Sequence, residues 1–365
     1  MKNCTKRALA VLVAVCICTA WGCAPRLEGM GSTSMGIGYV WRYVSGGDIA
    51  TSPVIAGGVV YIVGSNGEVH AVNVSDGDML WRLPLGGGAA GEPAHSQDSL
   101  FVGTATGDLY IVDALNGTAL WRAIPGTSPP ATPTIWGGAI YLGDADGWIY
   151  ALDAEIGEEI WSTNVDGAVT AAPSVNYGVV FICDESGTVS AFDAGTAKEY
   201  WRYEAPGNIV SSPVPISFGK KRAVIVTDES GTVTLLDAET GLARWTYQGP
   251  SGIEATPVVT ETGNGAAVLV ACTDGAVVLL RLDRGRVIWE TRLVTSFHST
   301  PLVHDGAIYL IDGGGTLFSL DAETGEAIWR CHGEANPSTS PAAVEGLVLF
   351  SGTDGSLYAI AIPAR

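Results

Sequence analysis

Eight tryptophans recur along this chain at nearly constant spacing, and this periodicity constrains the fold more than any other feature. Successive members of the series are 40 residues apart, except for two neighbouring intervals of 44 residues. The series consists of Trp41, Trp81, Trp121, Trp161, Trp201, Trp245, Trp289 and Trp329. A period of this length is typical of repeat architectures, in which each unit buries its apolar surface against its neighbours. The sequence therefore predicts eight copies of one structural unit.

Two further markers keep a fixed phase with the tryptophans. A proline follows each tryptophan by twelve residues, at Pro53, Pro93, Pro133, Pro173, Pro213, Pro257, Pro301 and Pro341. A glycine follows each proline by fourteen residues, or by eighteen in units five and six, at Gly67, Gly107, Gly147, Gly187, Gly231, Gly275, Gly315 and Gly355. A length of 365 residues alone would indicate two or three domains, but the continuous repeat favours one closed domain.

The unit from Ser52 to Leu85 shows the pattern inside each repeat. Gly57 and Gly58 separate the apolar runs SPVIAG and VVYIVG, and EVHAVNV follows the turn at Asn66 and Gly67. After one more polar turn, MLWRLPL completes the unit. Short apolar runs bounded by glycine-rich turns are typical of strands joined in hairpins. Four antiparallel strands per unit are typical of propeller blades, so we predict an all-β, eight-bladed β-propeller of four-stranded antiparallel blades.

The two ends of the chain complement each other. The last unit finishes at GSLYAIAIPAR, which is its third strand, and no tryptophan strand follows it. An unpaired strand around Trp41 precedes the first complete unit. We predict that this N-terminal strand pairs with the C-terminal blade as its outer strand, because such pairing closes the ring and leaves no open sheet edge.

The turn between the third and fourth strands carries a family resemblance. Asp237 and Asp321 each begin the sequence DAETG, and the tryptophan of the unit follows four residues after the glycine. These units resemble the pyrroloquinoline-quinone-type (PQQ-like) propeller repeat, over residues 37–362. Two units depart from it. Arg281 replaces the aspartate in unit six, and Ala197 occupies the glycine position in unit four. We expect the turn of unit four to be distorted.

The resemblance raises the question of whether this protein binds a cofactor. The long quinoprotein dehydrogenases that share this repeat bind a quinone and calcium at the propeller axis, with a vicinal cysteine pair and a calcium ligand set supplied by insertions. This chain has no adjacent cysteines and no insertion longer than four residues. We therefore expect no cofactor, no catalytic residue and no enzyme activity. The alternative is a small PQQ-dependent quinoprotein or a sugar-processing enzyme.

The propeller axis is the first place to look for polar chemistry. The residues three positions before each proline are predicted to line it: Ala50, Ala90, Pro130, Thr170, Val210, Glu254, His298 and Ser338. Glu254 and His298 belong to successive blades and form a candidate axial polar pair. Two side chains are too few for a metal that takes three or four protein ligands, so we assign no metal site.

Aspartates near the second turn of several units resemble calcium ligands when each is considered alone. They are Asp144, Asp146, Asp184, Asp228, Asp274, Asp312 and Asp354. The twelve-residue calcium loop with its closing glutamate does not accompany them. We predict that these carboxylates cap their own turns.

Residues 1–22 have the layout of a secretory signal, with three basic residues before an apolar run. The run ends at TAWGC, which resembles the lipobox of bacterial lipoproteins, and Ala24 resembles the sorting pattern for the outer membrane. We predict a lipoprotein signal peptide at 1–22, lipid attachment to Cys23, a flexible tether at 23–36 and the propeller at 37–365. The protein would face the periplasm, anchored to the outer membrane.

Three cysteines remain within the repeats, namely Cys183, Cys272 and Cys331. An odd number cannot all form pairs, and the three belong to different units. Their spacing includes no metal-binding motif. We predict that they are small buried residues.

The charge of the chain narrows the choice of partners. A formal net charge of -19 makes nucleic acid an unfavourable partner. The extra four residues of units five and six fall within 216–223 and 259–267, which predicts two long neighbouring hairpins. The first carries Lys220, Lys221 and Arg222, a candidate docking segment for an acidic partner or lipid headgroups; the alternative is a solvated turn. Trp148, at a turn on the opposite face, is a less favoured contact.

Size, lipobox and repeat number together resemble the BamB-type lipoproteins of the outer-membrane β-barrel assembly machinery. This resemblance implies a non-enzymatic scaffold that binds other envelope proteins and is held at the membrane by its lipid. We expect the protein to be a monomer. No partner-contacting residue of that family can be matched to this sequence, so the role depends on the resemblance alone.

Overall fold

The computed structural model describes residues 39–126, 131–219, 221–332 and 339–362. Within these ranges the chain forms 32 β-strands in eight four-stranded sheets, every pairing is antiparallel, and no helix able to cross a membrane is present. The predicted all-β, eight-bladed propeller is confirmed. The predictions for the signal peptide, the tether, Cys23, Pro130, Lys220 and Ser338 lie outside the described residues.

The strand order repeats regularly along the chain. The single strand β1 (Tyr39–Val44) precedes the first blade. Blades one to four consist of β2 (Val54–Ala56), β3 (Val59–Val63), β4 (Glu68–Asn73), β5 (Met79–Pro84), β6 (Ala94–Ser96), β7 (Ser99–Gly103), β8 (Leu109–Asp113), β9 (Ala119–Ala123), β10 (Thr134–Trp136), β11 (Ala139–Gly143), β12 (Trp148–Asp153), β13 (Glu159–Asn164), β14 (Ser174–Asn176), β15 (Val179–Cys183), β16 (Thr188–Asp193) and β17 (Glu199–Glu204). Blades five to eight consist of β18 (Val214–Phe218), β19 (Lys221–Thr227), β20 (Thr232–Asp237), β21 (Ala243–Gln248), β22 (Val258–Thr262), β23 (Gly265–Ala271), β24 (Ala276–Arg281), β25 (Val287–Arg292), β26 (Leu302–His304), β27 (Ala307–Ile311), β28 (Thr316–Asp321), β29 (Ala327–His332), β30 (Ala342–Val344), β31 (Leu347–Gly352) and β32 (Ser356–Ala361).

Antiparallel order within each blade gives the propeller two distinct faces. The hairpins that join the first to the second strand and the third to the fourth strand lie on one face, which we call the hairpin face. The turns that join the second to the third strand, and the connections between blades, lie on the other, which we call the connection face. The two long hairpins of blades five and six, β18 with β19 and β22 with β23, are confirmed on the hairpin face.

The apolar core lies between blades rather than inside them. The second and third strands of each blade are buried on both sides, as in β20, where every side chain from Thr232 to Leu236 is buried. Each apolar cluster combines two adjacent blades, such as Ile225 of blade five with Val268 of blade six. Burial on both faces explains why these strands are nearly continuous apolar runs.

The tryptophans of the repeat dock each blade onto the next. The indole Nε1 of Trp161 donates a hydrogen bond to the carbonyl oxygen of Ala194 at 2.9 Å, and that of Trp201 donates to Ala238 at 3.0 Å. Equivalent bonds are made by Trp41, Trp81, Trp245 and Trp289. The acceptor is always in the turn between the third and fourth strands, which explains why that turn and the tryptophan keep a fixed spacing.

The two units that depart from the repeat keep its turn geometry. In blade four the amide of Ala197 donates to the carbonyl of Asp193 at 3.0 Å, and Ala197 adopts the left-handed φ of 57°. In blade six the amide of Gly285 donates to the carbonyl of Arg281 at 2.8 Å. The prediction of a distorted turn at Ala197 is therefore wrong, because backbone hydrogen bonds hold this alanine in the conformation that glycine adopts elsewhere.

The ring closes through its two ends as predicted. β1 pairs antiparallel with β32, in the sheet order β1-β32-β31-β30, and Trp41 lies opposite Ala359. The Trp41 indole donates to the carbonyl of Val74 in blade one at 2.8 Å. The closing strand therefore completes blade eight and also docks it onto blade one.

The three cysteines within the repeats are buried, which confirms their predicted place in the core. Cys183, Cys272 and Cys331 each expose less than a tenth of their surface. Burial raises the pKa of the Cys183 thiol, and it raises that of the Cys272 thiol to about 12. Cys183 and Cys272 are therefore protonated and unreactive at neutral pH.

Candidate functional site: the axial channel and the cleft between blades four and five

A ring of hydroxyl groups surrounds the propeller axis where the innermost strands begin. The residue before each blade proline is a serine or threonine in six of the eight units. The backbone amide of Thr300 donates to the Ser340 hydroxyl at 3.0 Å, and the amide of Ser340 donates to the Ser52 hydroxyl at 3.0 Å. The same bond joins Glu92 to Thr132 at 2.8 Å and Ser212 to Thr256 at 3.2 Å. These bonds link neighbouring blades at the axis.

Sequence reasoning missed this hydroxyl ring. The signal was present, since Ser or Thr stands before the proline at 52, 132, 212, 256, 300 and 340. The two exceptions are Glu92 and Ala172. Glu92 lines the axial channel, so it adds a carboxylate to a ring that is otherwise uncharged.

The structure brings the two axial candidates together at the channel mouth on the connection face. Nδ1 of His298 donates to Oε2 of Glu254 at 2.7 Å, and both side chains are partly exposed. They border a cavity of about 260 Å³ with Ala50, Glu92 and Val210. Ala90 and Thr170 line the adjoining part of the channel. The channel is therefore polar and carries two carboxylates and one imidazole.

The aspartates near the second turns act as turn caps, as predicted. Oδ1 of Asp184 accepts from the amides of Ser186 and Thr188, each at 3.0 Å. Asp144, Asp228 and Asp312, which also stand three residues before the turn glycine, accept amides of their own turns. Asp274 and Asp354, one residue before the glycine, do the same. Within the described chain, no group of three or more His, Cys, Asp or Glu side chains is placed to hold a metal ion.

A second cavity opens on the hairpin face between blades four and five. This interblade cleft has a volume of about 230 Å³ and is mainly apolar. Tyr177, Phe181 and Tyr200 line it from blade four, and Ile216 and Arg222 line it from blade five. Tyr177 and Tyr200 each expose about half of their surface. Exposed aromatic rings beside an apolar cavity are typical of a binding surface.

One residue of the predicted basic docking segment lines this cleft. Lys221 and Arg222 lie within β19, and Lys220 is outside the described residues. The Arg222 guanidinium stacks over the Tyr177 ring, 4.1 Å from its centroid. Lys221 and Arg222 therefore lie on the long hairpin rather than in a solvated turn, and the docking role of the segment stays a prediction.

Trp148 lies at the start of β12, on the connection face, as predicted. Its ring stacks on Tyr150, with 6.3 Å between centroids, and it remains partly exposed. The structure therefore places Trp148 and the basic segment on opposite faces of the propeller.

Comparison with known proteins gives the family. A family model described as "Outer membrane protein assembly factor BamB" matches residues 38–147, 106–264, 145–296 and 253–363, and these matches together span the propeller. The chain belongs to the BamB family. A comparison with curated protein sequences gives no match.

Solved structures share the fold of this BamB-family chain. BamB from Moraxella catarrhalis has a TM-score of 0.73 and 20% identity, with 89% of this chain and 99% of that chain covered. The quinohemoprotein alcohol dehydrogenase ADHIIG from Pseudomonas putida HK5 has a TM-score of 0.73 and 14% identity, with 90% and 77% covered. The computationally designed Ika8 protein has a TM-score of 0.76 and 16% identity, with 88% and 99% covered. At these identities the likeness shows the fold alone.

The lining of the axial channel does not fit the quinone of the dehydrogenase branch. That quinone carries three carboxylates and needs positively charged partners. Glu92 and Glu254 line the channel here, and no lysine or arginine is among the described lining residues. The carboxylates of the quinone would therefore find no cationic side-chain partner among the described lining residues.

Proposed function

We propose that this BamB-family protein is a non-enzymatic scaffold of the bacterial envelope that binds other proteins, in the assembly of outer-membrane β-barrel proteins. The family match over residues 38–363 carries this proposal. The lipobox at Cys23 supports attachment to the outer membrane with the propeller facing the periplasm. The net charge of -19 supports protein or cationic partners over nucleic acid.

The axial chemistry supports a role in binding rather than catalysis. Ser52, Thr256 and Ser340 use their hydroxyls in bonds between blades, so these groups stabilise the ring. Glu254 and His298 satisfy each other. No nucleophile activated by a neighbouring base is found among the described lining residues.

Capture from native membranes tests the scaffold. Affinity-tagged full-length protein is purified from detergent-solubilised membranes, and a tagged lipoprotein of unrelated fold serves as the control. We expect an outer-membrane β-barrel protein to copurify with the propeller at a stoichiometric level and not with the control. If the two preparations contain the same envelope proteins in the same amounts, the scaffold proposal is wrong.

The second candidate function is a small quinoprotein, which the shared fold of the quinohemoprotein dehydrogenase favours. It is tested by adding pyrroloquinoline quinone and calcium to the purified protein and recording the absorbance spectrum. We expect the spectrum of the free quinone, because no lysine or arginine is among the described channel-lining residues to pair with its carboxylates. A spectral shift that requires both the protein and calcium would favour the quinoprotein instead.

A further inference from the structure

The interblade cleft is built around an aromatic residue in an unusual backbone conformation. Tyr177 has a φ of +53°, in the two-residue turn between β14 and β15. Glycine occupies the same turn position at Gly57 and Gly137, and Gln97, Asp305 and Glu345 also have a positive φ there. The two-residue hairpin turn therefore sets this conformation in several blades. At Tyr177 the side chain also contacts the next blade.

The lengthened hairpin of blade five supplies these contacts. Ser217 and Arg222 are paired residues in the extension of β18 and β19. The Ser217 hydroxyl donates to the Tyr177 hydroxyl at 3.0 Å, while Arg222 stacks on the ring. Ile216 and Arg222 of this lengthened hairpin therefore form one wall of the cleft. In contrast, the long hairpin of blade six turns towards blade seven, where the Gly263 amide donates to Glu323 at 2.7 Å.

Unpaired positive charge lies beside this cleft. Arg222 lines the cavity, and Lys221 precedes it in β19. In the described part of this region, Arg202 and Arg244 form ion pairs with carboxylates, whereas Lys221 and Arg222 do not. Glu239 is the carboxylate among the lining residues. A protein of net charge -19 thus has two basic residues without an ion pair in the described structure beside one apolar cleft.

The size of the cleft indicates what it can hold. Its volume of about 230 Å³ is below the ~300 to 1,000 Å³ of typical small-molecule sites. It suits one large side chain of a partner, held between Tyr177, Tyr200 and Ile216. Buried aromatic anchors of this kind dominate the affinity of many protein interfaces. The basic residues at the rim favour negative charge next to that anchor.

We propose that the cleft between blades four and five binds a short acidic peptide segment of a partner protein, with one aromatic side chain inserted beside Tyr177 and carboxylates directed to Lys221 and Arg222. This inference depends on the proposed function only in taking the partner to be a protein. It specifies the chemistry of the segment that the scaffold recognises.

A synthetic peptide tests this proposal directly. The probe is a fluorescein-labelled pentapeptide amide with a central phenylalanine and two aspartates on each side, titrated with full-length protein and followed by fluorescence anisotropy. We expect a dissociation constant on the order of 100 µM, typical of a weak single-anchor contact. A peptide with alanine in the centre, and one with lysines in place of the aspartates, should each bind at least tenfold more weakly.

Two variants assign the binding to the cleft. Arg222→Ala removes the stacked guanidinium, and Tyr177→Gly removes the aromatic wall at a position where glycine is the favoured residue. Each should weaken binding of the phenylalanine peptide at least tenfold while the thermal midpoint stays within about 2 °C. Arg286→Ala is the matched control, since Arg286 is an exposed arginine in a hairpin-face turn of blade six. It should leave the affinity within twofold.

The outcomes separate this proposal from the scaffold function. Equal binding of the phenylalanine and alanine peptides would overturn the proposal that the cleft binds an aromatic anchor. Equal losses of affinity in Arg222→Ala and Arg286→Ala would also overturn it, because they would indicate only a general charge effect. Undetectable binding at 1 mM protein, an excess of about tenfold over the expected constant, would also overturn it. Copurification from membranes is measured on the whole protein, so it can succeed or fail independently of these peptide results.

Discussion

Gly157 lies directly beneath the indole of Trp121, and this contact explains why glycine recurs in the turn of each repeat. A Cβ at Gly157 would be 2.5 Å from Cζ3 of that ring, and the residue has a φ of +74°. Ala197 occupies the equivalent position below Trp161 with a φ of 57°. Substitutions at these two positions therefore measure how a Cβ at this turn position changes the free energy of unfolding.

Opposite effects on stability are expected at these two positions. Gly157→Ala should lower the free energy of unfolding by about 2 to 4 kcal/mol, because it combines an unfavourable φ with overlap against the ring. Ala197→Gly should raise it by up to about 1 kcal/mol, because glycine adopts this conformation without steric cost. Chemical denaturation measures both. Destabilisation of the same size in both variants would contradict this explanation of the turn.

His70 makes the junction between blades one and eight sensitive to pH. The residue is buried, and a hydrogen bond of 2.8 Å joins its Nδ1 to the Tyr43 hydroxyl of the closing strand. Burial lowers the pKa of His70 below its ordinary value of 6.5, with Arg82 acting in the same direction and Glu68 in the opposite one. The unfolded chain therefore binds this proton more readily than the folded chain does.

The sign of the pH effect follows from that lowered pKa. The stabilising contribution of neutral His70 is complete above pH 6.5, and it decreases as the pH falls below 6.5 towards the pKa of the folded state. We expect a smaller loss of stability between pH 7 and pH 5.5 in His70→Gln than in the wild type. His95, whose pKa is also lowered by burial, contributes to the slope that remains.

At the scale of elements, β1 determines whether the ring is closed. It supplies the outer strand of blade eight, and the Trp41 indole bonds to blade one. Deleting residues 37–45 should lower the thermal midpoint of the whole propeller, because the edge of β32 loses its partner. Trp41→Ala alone should cost about 3 to 5 kcal/mol, since the ring is nearly fully buried.

An exposed neighbour on the same strand provides the control for β1. Val40 is half exposed, so Val40→Ala should change stability by no more than about 0.5 kcal/mol. Thermal unfolding followed by circular dichroism compares the three variants. A deletion variant with the wild-type midpoint would show that the ring does not need its closing strand.

The order of the elements could be predicted from the sequence, but the contacts between blades could not. Strand number, hairpin positions and ring closure follow from the fixed spacing of tryptophan, proline and glycine. The meeting of Tyr177 with Ser217 and Arg222 joins residues about 40 positions apart. That contact depends on the length of β18 and β19 and on the angle between two blades. The longer interval in unit five predicts the longer hairpin, but it contains no information about the angle between the blades.

At the scale of the whole molecule, the sequence specifies the architecture more fully than the role. Glu254 and His298 were placed at the axis by their phase in the repeat, and the structure joins them at 2.7 Å. The hydroxyl ring shares the same phase, but its bonds arise from the geometry of eight converging strands. A propeller that serves as a scaffold and one that serves as an enzyme share this geometry, so only the side chains at the sites distinguish them.

The membrane anchor is the remaining property of the whole molecule, and it is separable from the fold. Cys23 lies outside the described residues, whereas the propeller from 39 to 362 contains its own core and its own closure. Cys23→Ser should therefore release the protein from the membrane fraction, because attached acyl chains supply the membrane affinity. The thermal midpoint should not change, because the core and the closing strand are intact.

Cys18→Ser, a cysteine in the signal sequence outside the lipobox, is the matched control and should leave the protein in the membrane fraction. Fractionation after a high-salt wash measures both variants, and a Cys23→Ser protein that still sediments with membranes would show that contacts other than lipid hold it there.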